Sequence, residues 1–202
     1  MILSLTGFSV VAGALLGWVN AVTAEPIAQA NAKTLSDAIA VVVPGFDNNP
    51  AEAPETIDVN GVSYKIYKAT KDGKFIGAAV ESSSNGFGGT LTVLVGFDPE
   101  GNIIDYSLLS HSETPGLGSK AADWFKKGAK GDITGKNPGN APLVVSKDGG
   151  DIDAITASTI TSRAFLLAIN NAYAAYKNQH VDAASGATQH AKNENTDHVE
   201  NK

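Results

Sequence analysis

Hydroxyl side chains crowd a short stretch in the last third of the chain, just ahead of a helical pattern. Thr156, Ser158, Thr159 and Thr161 precede residues 163–177, in which apolar residues recur every three or four positions. The first backbone N–H groups of a helix lack intrahelical partners, so these hydroxyls are suited to cap it. The same N–H groups and the positive end of the helix dipole also favour a phosphate. The residue types alone leave both roles open, and a cap is the more frequent one.

A second group of residues that could bind a ligand lies at 111–118, at the end of a predicted strand. Its sequence is His-Ser-Glu-Thr-Pro-Gly-Leu-Gly. Its spacing is compatible with an ordinary Pro-Gly turn. Pro115 restricts the backbone, however, while Gly116 and Gly118 allow a flat ring to come close to backbone amides. Such a loop can bind a planar ligand.

Both segments resemble motifs of two families, the G subunit of the Rnf-type ion-translocating ferredoxin:NAD oxidoreductase and the C subunit of the sodium-pumping NADH:quinone oxidoreductase. Residues 153–159 are similar to the flavinylation motif Asp-x-x-(Ser/Thr)-Gly-Ala-Thr. Asp153 and Thr156 match it, whereas the pair before Thr159 is Ala-Ser instead of Gly-Ala. In these families the last Thr carries FMN as a phosphoester, so the resemblance implies covalent FMN on Thr159.

The loop carries the most specific part of the resemblance, because the segment Glu-Thr-Pro-Gly-Leu-Gly of these families is unbroken at residues 113–118. In the families it lines the isoalloxazine pocket. A flavin needs N–H donors near its pyrimidine edge and an apolar wall beside its rings. The resemblance therefore implies that the cofactor is bound by Glu113, Thr114, Pro115, Gly116, Leu117 and Gly118, with Thr156 and Ser158 beside the attachment residue.

A second copy of the flavinylation motif occupies residues 182–188 and matches it at every fixed letter. Its surroundings, residues 179–202, are rich in Asn, His, Asp and Glu and are predicted to form a disordered tail. Thr159 instead follows a predicted strand and opens the main helix, where the families have their acceptor. We therefore expect FMN on Thr159, with Thr188 as the alternative attachment residue.

Composition excludes several other classes of protein. The net charge of -6 and the pI near 5.1 argue against nucleic-acid binding, because no basic stripe is available to neutralise phosphates. The chain has no Cys, which excludes disulfides, thiolate zinc sites and a Cys-ligated iron–sulfur cluster. The four His residues lack metal-binding spacing, and no metal site is predicted. Any redox role must therefore use an organic cofactor.

Residues 2–22 contain no charged side chain and would span roughly 32 Å as a helix, against about 30 Å of bilayer hydrocarbon. A cleaved signal peptide is the alternative, but nothing basic precedes the run. We expect four segments: a transmembrane anchor (1–24), a juxtamembrane helix and loop (25–60), an FMN-binding domain (61–178) and the polar tail (179–202).

The elements that must position the two motifs follow from periodicity. An alternating segment at 62–69, a β-rich segment at 90–97 and turn sequences at 71–74 and 98–101 predict a meander of about four antiparallel strands over residues 62–110, with a hairpin turn at 71–74. The helix after Thr159 should bury a stripe made of Phe165, Leu166, Ile169, Ala172, Tyr173 and Tyr176. The predicted fold class is α+β, a membrane helix followed by an antiparallel sheet with packed helices.

The resemblance implies a membrane-anchored electron-transfer protein without a substrate or catalytic residues of its own. It further implies other membrane and iron–sulfur subunits as partners, a flavin transferase for maturation, and a soluble domain on the extracytoplasmic side of the inner membrane. The short domain favours the Rnf type over the sodium-pumping type. A non-redox ligand-binding or structural role is the alternative, and it would yield a colourless denatured chain.

Overall fold

The computed structural model describes the backbone of residues 2–59 and 61–196, and the side chains of residues 6–7, 9–26, 30–59 and 61–178. It begins with helix α1 (Ile2–Val42), which joins the predicted anchor and the predicted juxtamembrane helix in one continuous element. The described residues contain one helix, Ser9–Val42, whose length and apolar composition would allow it to cross a membrane. Residues Met1–Asp37 and Ala38–Lys202 form two compact units.

Within the described residues, five antiparallel strands form one sheet in sequence order, which confirms the predicted meander and adds a strand to it. The strands are β1 (Glu55–Val59), β2 (Val62–Lys71), β3 (Lys74–Asn85), β4 (Thr90–Phe97) and β5 (Ile103–Ser110). The prediction of helix and loop for residues 25–60 is wrong for β1. This edge strand is only five residues long and mostly exposed, so its two inward residues, Ile57 and Val59, are too few to give a clear strand pattern.

The hairpin between β2 and β3 turns at the predicted position. Asp72 and Gly73 are its two loop residues, and both have positive φ, 51° and 72°. Two-residue hairpins favour this mirror-image turn because its twist matches that of the strands, and Asp and Gly tolerate the left-handed region. The local sequence therefore sets the register in which β2 and β3 pair.

The remaining elements follow the sheet or lie just ahead of it. They are three 3-10 turns (Pro50–Glu52, Gly118–Lys120 and Ser146–Asp148), the four-residue helix α2 (Ala121–Trp124) and the long helix α3 (Thr159–Thr196). Helix α3 extends through most of the segment predicted to be a disordered tail, since no Pro interrupts residues 179–196 and each added residue gains a helical hydrogen bond. Thr188 lies outside the described side chains, and residues 197–202 lie outside the described backbone.

The main core lies between α3 and one face of the sheet. Phe165 of α3 stacks on Phe125, with ring centroids 4.4 Å apart, and contacts Tyr106 of β5 edge-on at 4.8 Å. Further along the helix, Tyr176 stacks on Phe97 of β4 at 5.2 Å. The predicted apolar stripe is confirmed, with Tyr173 half-buried and the others buried. These contacts fix α3 against β4 and β5.

The end of α1 packs on the opposite face of the sheet, within the second unit. Ile39 and Val42 are fully buried there, together with Leu94 of β4. Gly96 permits the close approach, because a Cβ atom at this position would lie 2.0 Å from the carbonyl oxygen of Val42. The sheet is therefore covered on both faces, and β4 lies between two layers of helix.

Gly96→Ala is expected to destabilise the protein by more than about 2 kcal/mol, because the new methyl group must displace backbone rather than a flexible side chain. Urea unfolding of the full chain in detergent, followed by circular dichroism, measures the change. Thr92→Ala, on the same strand but half-buried, is the matched control and should cost less. Equal midpoints for both variants would contradict the tight contact.

Candidate functional site

Three segments that are distant in sequence meet in one cleft of about 410 Å³. They are the loop between β3 and β4 (residues 86–89), the loop after β5 (111–118) and the segment that leads into the first turn of α3 (157–161). The cleft is lined by Phe87, Glu113, Thr114, Leu117, Gly118, Ala157, Ser158, Thr159, Ile160 and Thr161. The two motifs that the sequence singled out therefore lie side by side.

Most of the predicted cofactor-binding residues line this cleft, but not all of them. Glu113, Thr114, Leu117, Gly118, Ser158 and Thr159 do. Pro115 and Gly116 lie on the exposed bend of the same loop, and Thr156 is exposed ahead of the helix; none of these three is among the lining residues. Within the loop, Pro115 and Gly116 thus shape the bend.

Glu113 connects the three segments to one another. Its side chain is only 6% exposed, and its Oε2 accepts a hydrogen bond from the Thr161 hydroxyl at 2.6 Å. Its Oε1 accepts a second hydrogen bond from the backbone N–H of Gly88 at 3.1 Å. A buried carboxylate needs such donors to offset the loss of water. Glu113 therefore holds both loops against the start of α3.

Glycines leave space for the carboxylate of Glu113. A Cβ atom on Gly118 would lie 2.5 Å from Oε2 of Glu113, and one on Gly86 would lie 2.1 Å from Oε1. At Gly88 a Cβ atom would lie 2.1 Å from the carbonyl oxygen of Ser112. The Gly-rich sequence of residues 86–89 thus allows the two loops to pack closely.

Exposed apolar side chains form a rim around the cleft. Phe87 is 70% exposed, Ile160 52% and Leu117 41%, although each has the apolar surface that usually becomes buried. Leu117 was predicted from the loop motif, but Phe87 and Ile160 were not. A signal was present in the sequence for Phe87, because an aromatic residue flanked by glycines has little within its own loop to pack against. The rim offers a wall for a planar ring.

The hydroxyls at the start of α3 bond both to side chains of other segments and to nearby backbone groups. Thr161 donates to Glu113, whereas Ser162 accepts from the N–H of Ile155 at 2.9 Å and donates to the carbonyl of Ser158. The hydroxyl of Thr159, the first residue of α3, accepts a hydrogen bond from Nζ of Lys147 at 3.1 Å. Thr159 therefore presents its oxygen at the edge of the cleft, beside a cation.

Ala157 has a left-handed backbone, with φ of 61°. This region costs a residue with a Cβ atom roughly 1–2 kcal/mol and suits Gly. The flavinylation motif has Gly at this position. Ala157 adopts the left-handed backbone that suits this Gly, at the cost of some backbone strain. The chain thus keeps the turn that directs Thr159 into the helix.

Charged pairs fix the segment that carries Lys147. Arg163 of α3 binds both carboxylate oxygens of Asp148, with Nε at 2.6 Å and Nη2 at 2.5 Å. The hydrogen bond from Arg163 lowers the pKa of Asp148 below its usual value, and that from Lys136 does the same for the pKa of Asp151. Both carboxylates are therefore ionised at neutral pH, and their attraction to these cations is present there.

The arrangement suits a planar ligand that bears a phosphate. The apolar rim of Phe87, Leu117 and Ile160 can cover one face of a ring. The start of α3 and Lys147 together provide positive potential for an anion. Thr159 adds a hydroxyl at the boundary between the two regions. A flavin mononucleotide has these two parts, so the residues present fit this cofactor.

Comparison with known proteins adds an independent observation. Residues 86–174 match the family described as the FMN-binding domain. Among solved structures, the chain is similar to NqrC of Shewanella oneidensis (TM-score 0.45, 21% identity, 60% of this chain and 64% of that chain). It is also similar to the Na(+)-translocating NADH-quinone reductase C subunit of Parabacteroides distasonis (TM-score 0.48, 20% identity, 72% and 90%).

The curated relatives are more similar in sequence. The chain is 35% identical over 164 residues to the G subunit of the ion-translocating oxidoreductase complex of Cereibacter sphaeroides, covering 78% of this chain and 74% of that protein. It is 33% identical over 181 residues to the protein of the same name from Yersinia pestis, covering 84% and 86%. The FMN-binding match takes in all three segments that line the cleft.

Proposed function

Because the chain belongs to the G-subunit family of ion-translocating oxidoreductase complexes, we propose that it is an electron-transfer protein that carries FMN covalently bound to Thr159. The match of residues 86–174 to the FMN-binding domain supports the cofactor. One structural observation supports Thr159 as the attachment residue: it lines the same cleft as Glu113, Thr114, Leu117 and Gly118 of the loop after β5.

The chain's residues would bind and orient the cofactor rather than react with a substrate. When bound, FMN supplies the capacity to accept and pass on electrons. Phe87, Leu117 and Ile160 would cover the ring and exclude water from one face. Glu113 would keep the two loops in place around it. An ester bond at Thr159 would prevent loss of the cofactor during repeated electron transfer.

The proposal extends to the setting of the protein in its complex. Helix α1 is apolar and long enough to anchor the chain in the inner membrane as a single span. We place the FMN-binding domain on the extracytoplasmic side, with other membrane and iron–sulfur subunits of the same complex as partners. A separate flavin transferase would form the bond to Thr159, since the described contacts of its hydroxyl are with a cation and not with a general base.

The test is the colour and mass of the full chain, expressed with a flavin transferase and then denatured. We expect the unfolded chain to remain yellow and to gain the mass of one FMN less one water. Expression without the transferase provides the control and should give the unmodified mass. A yellow protein that loses its flavin on denaturation would contradict the covalent bond, and a colourless protein would contradict the electron-transfer function.

A further inference from the structure

Lys147 lies outside both sequence motifs, yet its ammonium group is within hydrogen-bond distance of the proposed attachment oxygen. Its Nζ donates to Oγ1 of Thr159 at 3.1 Å. A lysine is a long side chain that loses considerable conformational freedom when it is held in one place. Its position beside the hydroxyl therefore depends on how firmly its own segment is held.

That segment is held on both sides of Lys147, by Ile152 before it and by Arg163 of α3 after it. Val145 and Ile152 form a parallel bridge, and Ser146 N–H donates to the carbonyl of Ile152 at 2.8 Å. On the other side of Lys147, Asp148 makes the two-point ion pair with Arg163. Lys147 thus lies between two anchored neighbours in a short 3-10 turn, Ser146–Asp148.

The charge around Lys147 leaves its ammonium available for an anion. Both oxygens of the adjacent carboxylate, Asp148, are engaged by Arg163, and the Lys147 ammonium contacts a neutral hydroxyl. A phosphate esterified to that hydroxyl would bear a negative charge within reach of Nζ. Charge-assisted hydrogen bonds of this kind are about twice as strong as neutral ones.

We propose that Lys147 is a positioning residue for the flavin phosphate, both while the bond to Thr159 forms and after it has formed. The inference rests on the proposed attachment at Thr159. In the transfer, the Thr159 oxygen bonds to the flavin phosphorus of an activated flavin phosphoanhydride supplied to the transferase. The anhydride P–O bond breaks, its electron pair leaves with the departing phosphate, and the hydroxyl proton passes to a base of the transferase. Lys147 neutralises charge on the phosphate throughout.

The test measures the initial rate at which purified flavin transferase and its flavin donor load the full chain, read as flavin fluorescence of the denatured chain in a gel. We expect Lys147→Ala to lower the rate about tenfold, whereas Lys147→Arg, which keeps the charge, should retain most of it. Added salt should slow loading of the wild type and Lys147→Arg more than that of Lys147→Ala. A purely structural role for Lys147 would not produce this dependence on salt.

Lys130→Ala is the matched control, because it removes the same charge from an exposed position away from the cleft and should load at the wild-type rate. Wild-type loading of Lys147→Ala would overturn the role of Lys147 and leave the proposed function intact. An equal loss in Lys130→Ala would also overturn it, since net charge would then explain the effect. Failure of the wild type itself to load would instead reject covalent attachment, and the inference with it.

Discussion

Thr159→Ala is expected to abolish covalent attachment of flavin, so that the denatured chain is colourless at its unmodified mass. A phosphoester requires the hydroxyl oxygen, and Ala removes that atom. Thr159→Ser keeps the oxygen and should still be loaded. Because Thr159 is only half-buried and its hydroxyl contacts an exposed lysine, the Ala variant should unfold within about 0.5 kcal/mol of the wild type. Intact mass and gel fluorescence after co-expression with the transferase provide the measurement.

Thr188→Ala is the matched control for this experiment, because Thr188 ends the second copy of the flavinylation motif. It should be loaded as fully as the wild type. Full loading of Thr159→Ala together with loss of loading in Thr188→Ala would assign the cofactor to the other copy. Peptide mapping of the wild type identifies the modified residue directly and detects a chain modified at both positions. Comparing Thr159→Ala with Thr188→Ala thus shows whether the motif match or the surrounding cleft determines which residue is modified.

The match to the motif favours Thr188, whereas the described cleft favours Thr159, and this difference has a physical reason. Residues 182–188 carry the better match, but attachment at a defined pocket also requires walls for the ring. At Thr159 those walls are supplied by segments far away in sequence, the loops at 86–89 and 111–118. A linear motif contains no information about them. This difference is why we retain Thr159 as the proposed acceptor.

Local patterns predicted the scaffold well because the forces that shape it are local. Alternation predicted β2, β-rich composition predicted β4, and turn sequences separated the strands, while helical spacing predicted the buried face of α3. The prediction failed for β1, whose pairing with β2 along the sheet edge provides the order that its own sequence does not. It also ended α3 too early, since polar composition alone does not end a helix.

The cleft was harder to predict because its key contacts join distant residues. Thr161 lies 48 positions from Glu113, and Gly88 lies 25 positions from it. The contact of Lys147 with Thr159 spans only 12 positions, yet it depends on the ion pair between Asp148 and Arg163, which no local motif encodes. Family resemblance pointed to the loop at 111–118 and to the segment that leads into α3, but not to the loop between β3 and β4. The structure was needed to find the side chains that hold them together.

Glu113→Ala is expected to destabilise the protein by about 3 kcal/mol and to loosen the cleft. It leaves the buried Thr161 hydroxyl and the Gly88 N–H without the acceptor that they share, and hydrogen bonds to a carboxylate commonly contribute about 1.5–3 kcal/mol each. Glu113→Gln retains one carbonyl oxygen, so it should cost about half as much. Thermal unfolding of the full chain in detergent measures both changes.

Replacing Glu113 should also loosen the binding of the flavin ring, because the Glu113 carboxylate holds the two loops around the cleft. Once loaded, Glu113→Ala should keep its flavin on denaturation, since Thr159 is intact, but the folded protein should show lower flavin fluorescence anisotropy than the wild type. Glu100→Ala removes an exposed carboxylate from the turn between β4 and β5 and should change neither property. A loaded Glu113→Ala protein with wild-type anisotropy would mean that the loops do not depend on this residue. The attachment bond and the ring pocket are thus separable parts of the site, one resting on Thr159 and the other on Glu113.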